Sequence, residues 1–522
     1  MNVCLLNDSF PPVIDGVANV VMNYASIMTR DDLADVIVGT PEYPDADYDG
    51  YPYRVVPYQS FDTSGIVHGY RAGNPLAMRA IRKMSDFAPD IIHTHCPVAS
   101  TVMARILRNE TDAPIVFTYH TKFDVDIARA MKGKLLQHES IKALVKNISA
   151  CDEVWTVSRG AGENLRSLGF EGEYHVVSNG VDFAKGRVSE DDVRKVTAGF
   201  DLPADLPVFL FVGRMMVYKG LPIIVDALSL LSDAGIDYRM VFVGDGVDRQ
   251  AMEERIKEHG ITLDTFDEDG KRVVTEGRAG RMGRVIFTGA VHDRNVLRAW
   301  NTRADLFLFP STYDTNGIVV REAAACGQAS VLIKDSCAAE GITDGRNGFL
   351  VEENAESMAA MLKELAKDKG RMASAGQHAM DEIYISWESA VNDAVDRYGV
   401  IIERKEEELD RRQAESFHEK LSDNFYELGD SFIRNTSHFF ERPKAIYEGM
   451  EENVYEIFHE AKERTRENLH EVKERTRENL HEAKERTKEN IHEAFHEVKE
   501  KTKENFHEIK TELKMLGSDK SE

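Results

Sequence analysis

The octapeptide Gly213-Arg214-Met215-Met216-Val217-Tyr218-Lys219-Gly220 follows directly on the apolar run Phe209 to Val212. Two cations leaving the carboxyl edge of a buried strand can neutralise a diphosphate leaving group, although most charges at strand ends are simply solvated. About a hundred residues later comes Pro310-Ser311-Thr312-Tyr313-Asp314-Thr315-Asn316-Gly317-Ile318-Val319-Val320-Arg321-Glu322. Asp314 and Glu322 are carboxylates separated by a Gly-containing turn, with a helix predicted to start near Ile318. One carboxylate can hold sugar hydroxyls and the other a ribose, while the N–H groups from Asn316 through Gly317 to Ile318 face a phosphate. Ordinary helix capping by charged residues is the plainer alternative. Near the start, Gly16 closes the loop Asn7 to Asp15 before a helix predicted near Ala18, where backbone N–H groups could meet a phosphate or a sugar oxygen. His120 ends the apolar run Ile115 to Thr118 and should face a cleft; His93 and His95 end another run and read as structural.

Positioning these groups requires a particular order of elements. Val3 to Leu6, Val36 to Val38, Ile91 to His93, Ile115 to Thr118, Val154 to Val157 and Tyr174 to Val177 read as buried strands with helical stretches between them. A second series runs through Val208 to Val212, Met240 to Val243, Val285 to Thr288, Leu306 to Phe309, Ala329 to Ile333 and Phe349 to Val351. Such βαβ rhythm predicts an α/β protein with two Rossmann-like domains, residues 1–185 and 186–385, facing each other across a cleft. Leu263 to Gly283, rich in Asp, Gly, Lys and Arg, reads as a surface insertion. Residues 386–412, opening with Ser386-Trp387-Glu388, form a helix returning toward the first domain, and residues 413–450 a helical linker.

Residues 451–516 repeat with a period of eleven: HEAKERTRENL, HEVKERTRENL, HEAKERTKENI. Eleven residues in three turns keep a thin Ala/Val/Leu/Thr stripe nearly straight along an amphipathic helix of roughly 100 Å, at about 1.5 Å per residue. This tail holds more Glu than Lys and Arg together, so simple attraction to anionic lipid is not expected. A lipid surface, self-association in a coiled coil and a solvated helix all remain open to it.

The formal charge of -25 disfavours nucleic acid as a partner. Five unpaired-looking cysteines, the lack of a basic-then-apolar leader and the lack of a long apolar span predict a cytoplasmic chain, at most peripheral on the inner face of the cell membrane. Asp45-Ala46-Asp47 and Asp124-Val125-Asp126 match a D-x-D metal pattern only superficially.

Taken together, the Gly16 loop, Tyr119-His120-Thr121, Ser178-Asn179-Gly180-Val181-Asp182, the Gly213 to Gly220 block, Gly244-Asp245-Gly246, the Asp314 to Glu322 block and Glu340 to Leu350 resemble the retaining glycosyltransferases of family 4, over roughly residues 1–410. The resemblance implies the GT-B fold and a nucleotide diphosphate sugar as donor substrate, with no cofactor and no catalytic metal. It implies further that Arg214 and Lys219 bind the diphosphate alongside Gly16 and Gly213, that Glu322 holds the ribose, and that Asp314, Asn316, Gly317 and His120 meet the transferred sugar. Asp314 stands where the family pattern has Glu, one methylene longer. Tyr119-His120-Thr121-Lys122-Phe123-Asp124 and Asp314-Thr315-Asn316-Gly317 are most similar to the diacylglycerol glucosyltransferase branch. That points to transfer of a hexose, from UDP-glucose by preference, to a membrane lipid such as diacylglycerol. A soluble sugar or polysaccharide acceptor is the alternative within the family, and a non-catalytic scaffold built on a decayed transferase is the alternative outside it.

Overall fold

The computed structural model describes residues 1–411 apart from 14, 45, 64–69, 131–132 and 268–269, and the side chains of 125, 126, 129 and 130. The linker 413–450 and the eleven-residue repeat lie outside the described residues.

The first sheet is built from β1 (Asn2–Leu6), β2 (Asp35–Pro41), β3 (Arg54–Tyr58), β6 (Ile91–Thr94), β7 (Ile115–Tyr119), β8 (Glu153–Thr156) and β9 (His175–Val176), with a small antiparallel hairpin of β4 (Ser60–Asp62) and β5 (Arg71–Gly73) beside it. Its order is β3-β2-β1-β6-β7-β8-β9, parallel throughout. Alternation sorts β1 between two cores: Val3 and Leu5 join one cluster, Cys4 and Leu6 the other, and all four are fully buried. A sheet covered on both faces needs such uninterrupted apolar strands.

The second sheet comprises β10 (Val208–Val212), β11 (Arg239–Val243), β12 (Thr262–Phe266), β13 (Arg272–Thr275), β14 (Arg284–Gly289), β15 (Leu306–Phe309), β16 (Ala329–Ile333) and β17 (Phe349–Val351). The order is β13-β12-β14-β11-β10-β15-β16-β17, with β13 alone antiparallel. The stretch expected as a surface insertion therefore extends the sheet. β12 pairs parallel with β14, and its central Asp264 is fully buried against Arg272 of β13. A buried carboxylate interrupts the apolar pattern of a strand, and its arginine partner lies on the next strand.

A helix over residues 387–411 crosses onto the first domain. Trp387, Ala390, Val391, Ala394, Tyr398 and Ile401, spaced three and four apart, join the cluster of Val3, Leu5 and Tyr24. Arg397 donates to both oxygens of Glu153 at 2.8 Å, and the Tyr398 ring stacks on Trp155 with centroids 5.4 Å apart. The last described helix thus packs into the core of the first domain.

Both sheets reverse their strand order at one point, between β1 and β6 in the first and between β10 and β15 in the second. Loops leaving the carboxyl ends on either side of such a point diverge and open a crevice. The Gly16 loop follows β1 and His95 follows β6; the Gly213 to Gly220 block follows β10 and the Asp314 turn follows β15.

Candidate functional site

In the second domain the strand-end loops are packed so closely that only glycine fits at two positions. Gly244 has φ +142°, and a Cβ there would lie 2.0 Å from the Gly213 carbonyl oxygen. Gly220 has φ +77°, and a Cβ there would lie 2.2 Å from the carbonyl oxygen of Pro310. The second contact ties the end of the Gly213 to Gly220 block to the exit of β15. As a result Lys219, last residue of a short 3-10 turn, meets Asp314 in an ion pair whose side chains are only 13% and 22% exposed. The other Asp314 oxygen accepts from Ser311 Oγ, and the Lys219 ammonium stands 5.4 Å from the Phe309 ring centre. Shortened by one methylene relative to the family pattern, Asp314 still reaches both partners.

Arg214 is exposed, and its Nη2 donates weakly to Tyr218 Oη at 3.4 Å. It faces the first domain. Burial and neighbouring Asp15 push the Tyr70 phenol well up, and the charge of Arg214 opposes them. Tyr70 Oη donates to Asp15 at 2.9 Å.

The turn after Asp314 has the features of an anion and hydroxyl binder. Gly317, with φ +61°, caps the helix Ile318–Ala325, and no side chain satisfies the N–H groups of its first turn. Asn316 is 9% exposed, and neither its amide oxygen nor its amide nitrogen has a hydrogen-bond partner. A buried amide left wholly unsatisfied is rare in folded proteins, and a ligand that supplies both a donor and an acceptor resolves it.

Glu322 lies one turn further along this helix, buried, with its carboxyl raised by desolvation and opposed by Arg294. Arg294 Nη2 donates to Glu322 at 2.6 Å and lies 3.3 Å from Asp182. Arg294 reaches Glu322 from another helix, and nothing in the residue pattern marks it.

In the first domain the helix begins at Gly16, two residues earlier than expected. Asp15 caps it, taking the N–H groups of Val17 and Ala18 at 2.9 and 2.7 Å, so those two groups are not turned to a ligand. What Gly16 offers is space: a Cβ there would find nothing within 4 Å. His120 is buried, its Nε2 lies 3.0 Å from His95 Nδ1, and burial lowers its imidazole to about 4. His93 and His95, expected as structural, are buried with it.

The two halves of the site are joined by hydrogen bonds across the cleft. Thr315 Oγ1 donates to the His120 carbonyl at 2.6 Å, Ser158 Oγ to the Thr315 carbonyl, and Lys122 Nζ to the Thr312 carbonyl at 3.0 Å. The Arg159 N–H donates to Glu340 at 2.7 Å, and Arg321 to the Asn179 carbonyl at 3.0 Å. Thus the loops that carry Arg214, Lys219, Asp314, Asn316, Gly317 and His120 are brought together. Among the described residues no three His, Cys, Asp or Glu side chains converge as metal ligands, and no helix is long and apolar enough to cross a membrane. None of the five cysteines is paired.

A family profile described as Glycosyltransferase Family 4 matches residues 14–185, and one described as Glycosyl transferases group 1 matches residues 206–368; together they take in more than half of the chain. The D-inositol 3-phosphate glycosyltransferase of Xylanimonas cellulosilytica is 26% identical over 359 residues, which is 67% of this chain and 81% of that protein. The alpha-monoglucosyldiacylglycerol synthase of Streptococcus pneumoniae is 21% identical over 335 residues, 63% of this chain and 70% of that one. Among solved structures, Anabaena HepE in complex with UDP is similar with a TM-score of 0.58 at 19% identity, over 77% of this chain and 100% of that chain. The shared architecture, two parallel-sheet α/β domains, is the GT-B fold.

Proposed function

The chain belongs to the family 4 glycosyltransferases, and from that premise we propose that it moves a hexose, UDP-glucose being the favoured donor, to a hydroxyl of a membrane lipid such as diacylglycerol, with retention of configuration. One observation carries the assignment of the donor site: Lys219 is paired with Asp314 beside an Asn316 whose amide has no partner. A diphosphate arriving between Arg214 and Lys219 supplies an anion to Arg214, which among the described residues has no carboxylate beside it, and shares Lys219 with Asp314. The uncapped first turn at Ile318 adds N–H donors to the same charge. The transferred sugar then lies against Asp314, Asn316 and His120, and the ribose of the nucleotide against Glu322, with Arg294 giving up part of its hold on that carboxylate.

Retention follows from front-face attack. The acceptor hydroxyl forms its bond to the anomeric carbon on the side from which the diphosphate departs, and a phosphate oxygen of the leaving group takes the hydroxyl proton. Arg214 and Lys219 stabilise the growing charge on that leaving group, which is where preorganised cations contribute most. The two cations do this work, so we expect turnover to need no metal.

The lipid acceptor is supported by the motif likeness at Tyr119 to Asp124 and by a relative named as a glucosyldiacylglycerol synthase. A panel of nucleotide sugars offered with diacylglycerol in mixed micelles, and separately with soluble sugars, tests both halves of the reading. The expected result is an α-linked glucolipid from UDP-glucose whose formation persists in EDTA. A β-linked product by NMR rejects the mechanism, and transfer to soluble sugars alone rejects the acceptor. Tight UDP binding with no transfer to any acceptor favours the scaffold instead.

A further inference from the structure

Behind the cleft three imidazoles lie in contact. The ring centroids of His93 and His95 are 4.0 Å apart and those of His95 and His120 are 5.3 Å apart. His93 is held at both nitrogens, Nδ1 by Tyr398 Oη of the crossing helix and Nε2 by Thr118 Oγ1 at 2.7 Å. His95 is held at one, since its Nδ1 lies 3.0 Å from His120 Nε2 while its Nε2 is buried with no partner. His93 and His95 are sealed from water and His120 is 9% exposed, and burial holds each in its neutral form at neutral pH.

A neutral imidazole carries one N–H and one lone pair, so the bond between His95 and His120 has only two arrangements. If His120 Nε2 donates, then His95 must carry its proton on Nε2, where it is a buried N–H with nothing to receive it. If His95 Nδ1 donates, the atom left over is a bare lone pair on His95 Nε2, and His120 carries its proton on Nδ1. Buried N–H groups without acceptors are the rarer and costlier of the two. The Tyr24 ring, with its centroid 6.0 Å from that of His95, is too far to accept through its face.

We infer that His95 is a positioning residue that fixes His120 as its Nδ1–H tautomer, so that His120 offers the cleft a hydrogen-bond donor and not an acceptor. The assignment rests on the reading of His120 as a contact of the transferred sugar. It narrows that contact: the sugar atom opposite His120 must accept, so a fluorine in place of the hydroxyl there keeps part of the interaction and a hydrogen keeps none.

The tautomer can be read without turnover, from long-range proton–nitrogen correlations of the full chain carrying 15N-labelled histidine, with His120 assigned by its loss in His120→Gln. The expected spectrum has His120 protonated at Nδ1, and His95→Phe should move it toward the other tautomer. A His120 protonated at Nε2 in the unaltered protein overturns the inference. A second measurement is the affinity for UDP-glucose relative to UDP, by calorimetry. His95→Phe should reduce that preference at least fivefold, and His95→Asn, whose amide N–H stands where Nδ1–H was, should restore most of it. Equal loss in both variants, with folding intact by circular dichroism, reduces His95 to packing and also overturns the inference. If the tautomer is as assigned but His120→Ala leaves the preference for UDP-glucose untouched, the sugar-contact reading of His120 fails while the assigned tautomer stands.

Discussion

Replacing Gly16 by Ala should make the protein slightly more stable and a poorer binder of its donor. Gly16 is the first residue of the helix Gly16–Arg30, and its φ lies outside the left-handed region where glycine alone is at ease. An added methyl meets no atom within 4 Å, so no packing penalty arises. Alanine is favoured over glycine within a helix by about 1 kcal/mol, and less at the first position, so the gain should fall between zero and about 1 kcal/mol. The same empty space is where the proposed diphosphate approaches the helix. A methyl there holds the phosphate off by a good fraction of an ångström, and a tenfold weaker donor corresponds to about 1.4 kcal/mol. Thermal unfolding and calorimetric titration with UDP-glucose, on the same preparation, read the two effects separately. An unchanged affinity removes Gly16 from the donor site, and a loss of several degrees in Tm shows that the space in front of it is not empty in solution.

Arg214→Ala and Lys219→Ala should each lower turnover at least tenfold, about 1.4 kcal/mol in barrier, in steady-state assays of glucose transfer. Lys219→Ala should also release Asp314 and weaken sugar binding, so its KM should rise more than that of Arg214→Ala. Asp8 should report on stability. It is partly buried, one carboxyl oxygen accepts from the Ser100 N–H at 2.8 Å, the other is buried with no partner, and desolvation raises its carboxyl to about 6. A carboxyl raised on folding costs nothing where both states are protonated, below about pH 4, and its penalty is complete above about pH 6. Asp8→Asn keeps the acceptor for Ser100 and should add at most about 3 kcal/mol in urea unfolding at pH 7.5 and less than about 1 kcal/mol at pH 4. Equal stability of the two proteins at pH 7.5 contradicts this. Truncation after residue 450 should leave both α/β domains folded and transfer to a dispersed short-chain acceptor intact, while co-sedimentation with vesicles falls. Unchanged vesicle binding with conversion of an oligomer to a monomer assigns the repeat to self-association instead.

The parts of this molecule legible in the sequence are those whose physics is local. β10, β15, β16 and β17 have the bounds expected of them, since each is a short apolar run buried on both faces and stopped by Gly, Pro or charge. β3 went unread because Pro57 interrupts it and only its partner β2 supplies the pairing. β12 hides behind Asp264, whose burial is tolerable only with Arg272 on the following strand. At the site, the positions of Arg214, Lys219, Asp314 and Glu322 follow from strand ends and glycines. Their companions do not: Arg294, Ser158, Thr315 and His95 act through partners distant in sequence, and four of the bridges across the cleft end on main-chain carbonyl groups that leave no mark in a residue pattern.

Those bridges bear on how the site is assembled. The segment from Ser311 to Gly317 belongs to the second sheet by chain, yet its carbonyl and hydroxyl groups at Thr312 and Thr315 are tied to Lys122, Ser158 and His120 of the first domain. Asp314 and Asn316 lie between and beside those tied residues, so their positions are set by both domains at once. Separating the domains by a few ångströms breaks three hydrogen bonds to this one segment, each worth about 1 kcal/mol, and loosens the partner of Lys219 with them. The crossing helix opposes such separation from the far side: Arg397 and Arg404 grip Glu153, Lys405 grips Asp152, and Tyr398 reaches His93. Glu153 begins β8, five residues before Ser158, and His93 touches the His95–His120 pair. The same helix therefore braces both the residue that ties Thr315 and the imidazole of the proposed sugar contact. On the proposed reading, in which Asp314, Asn316 and His120 meet the donor together, its binding is in this way coupled to closure of the two domains through residues that never touch it.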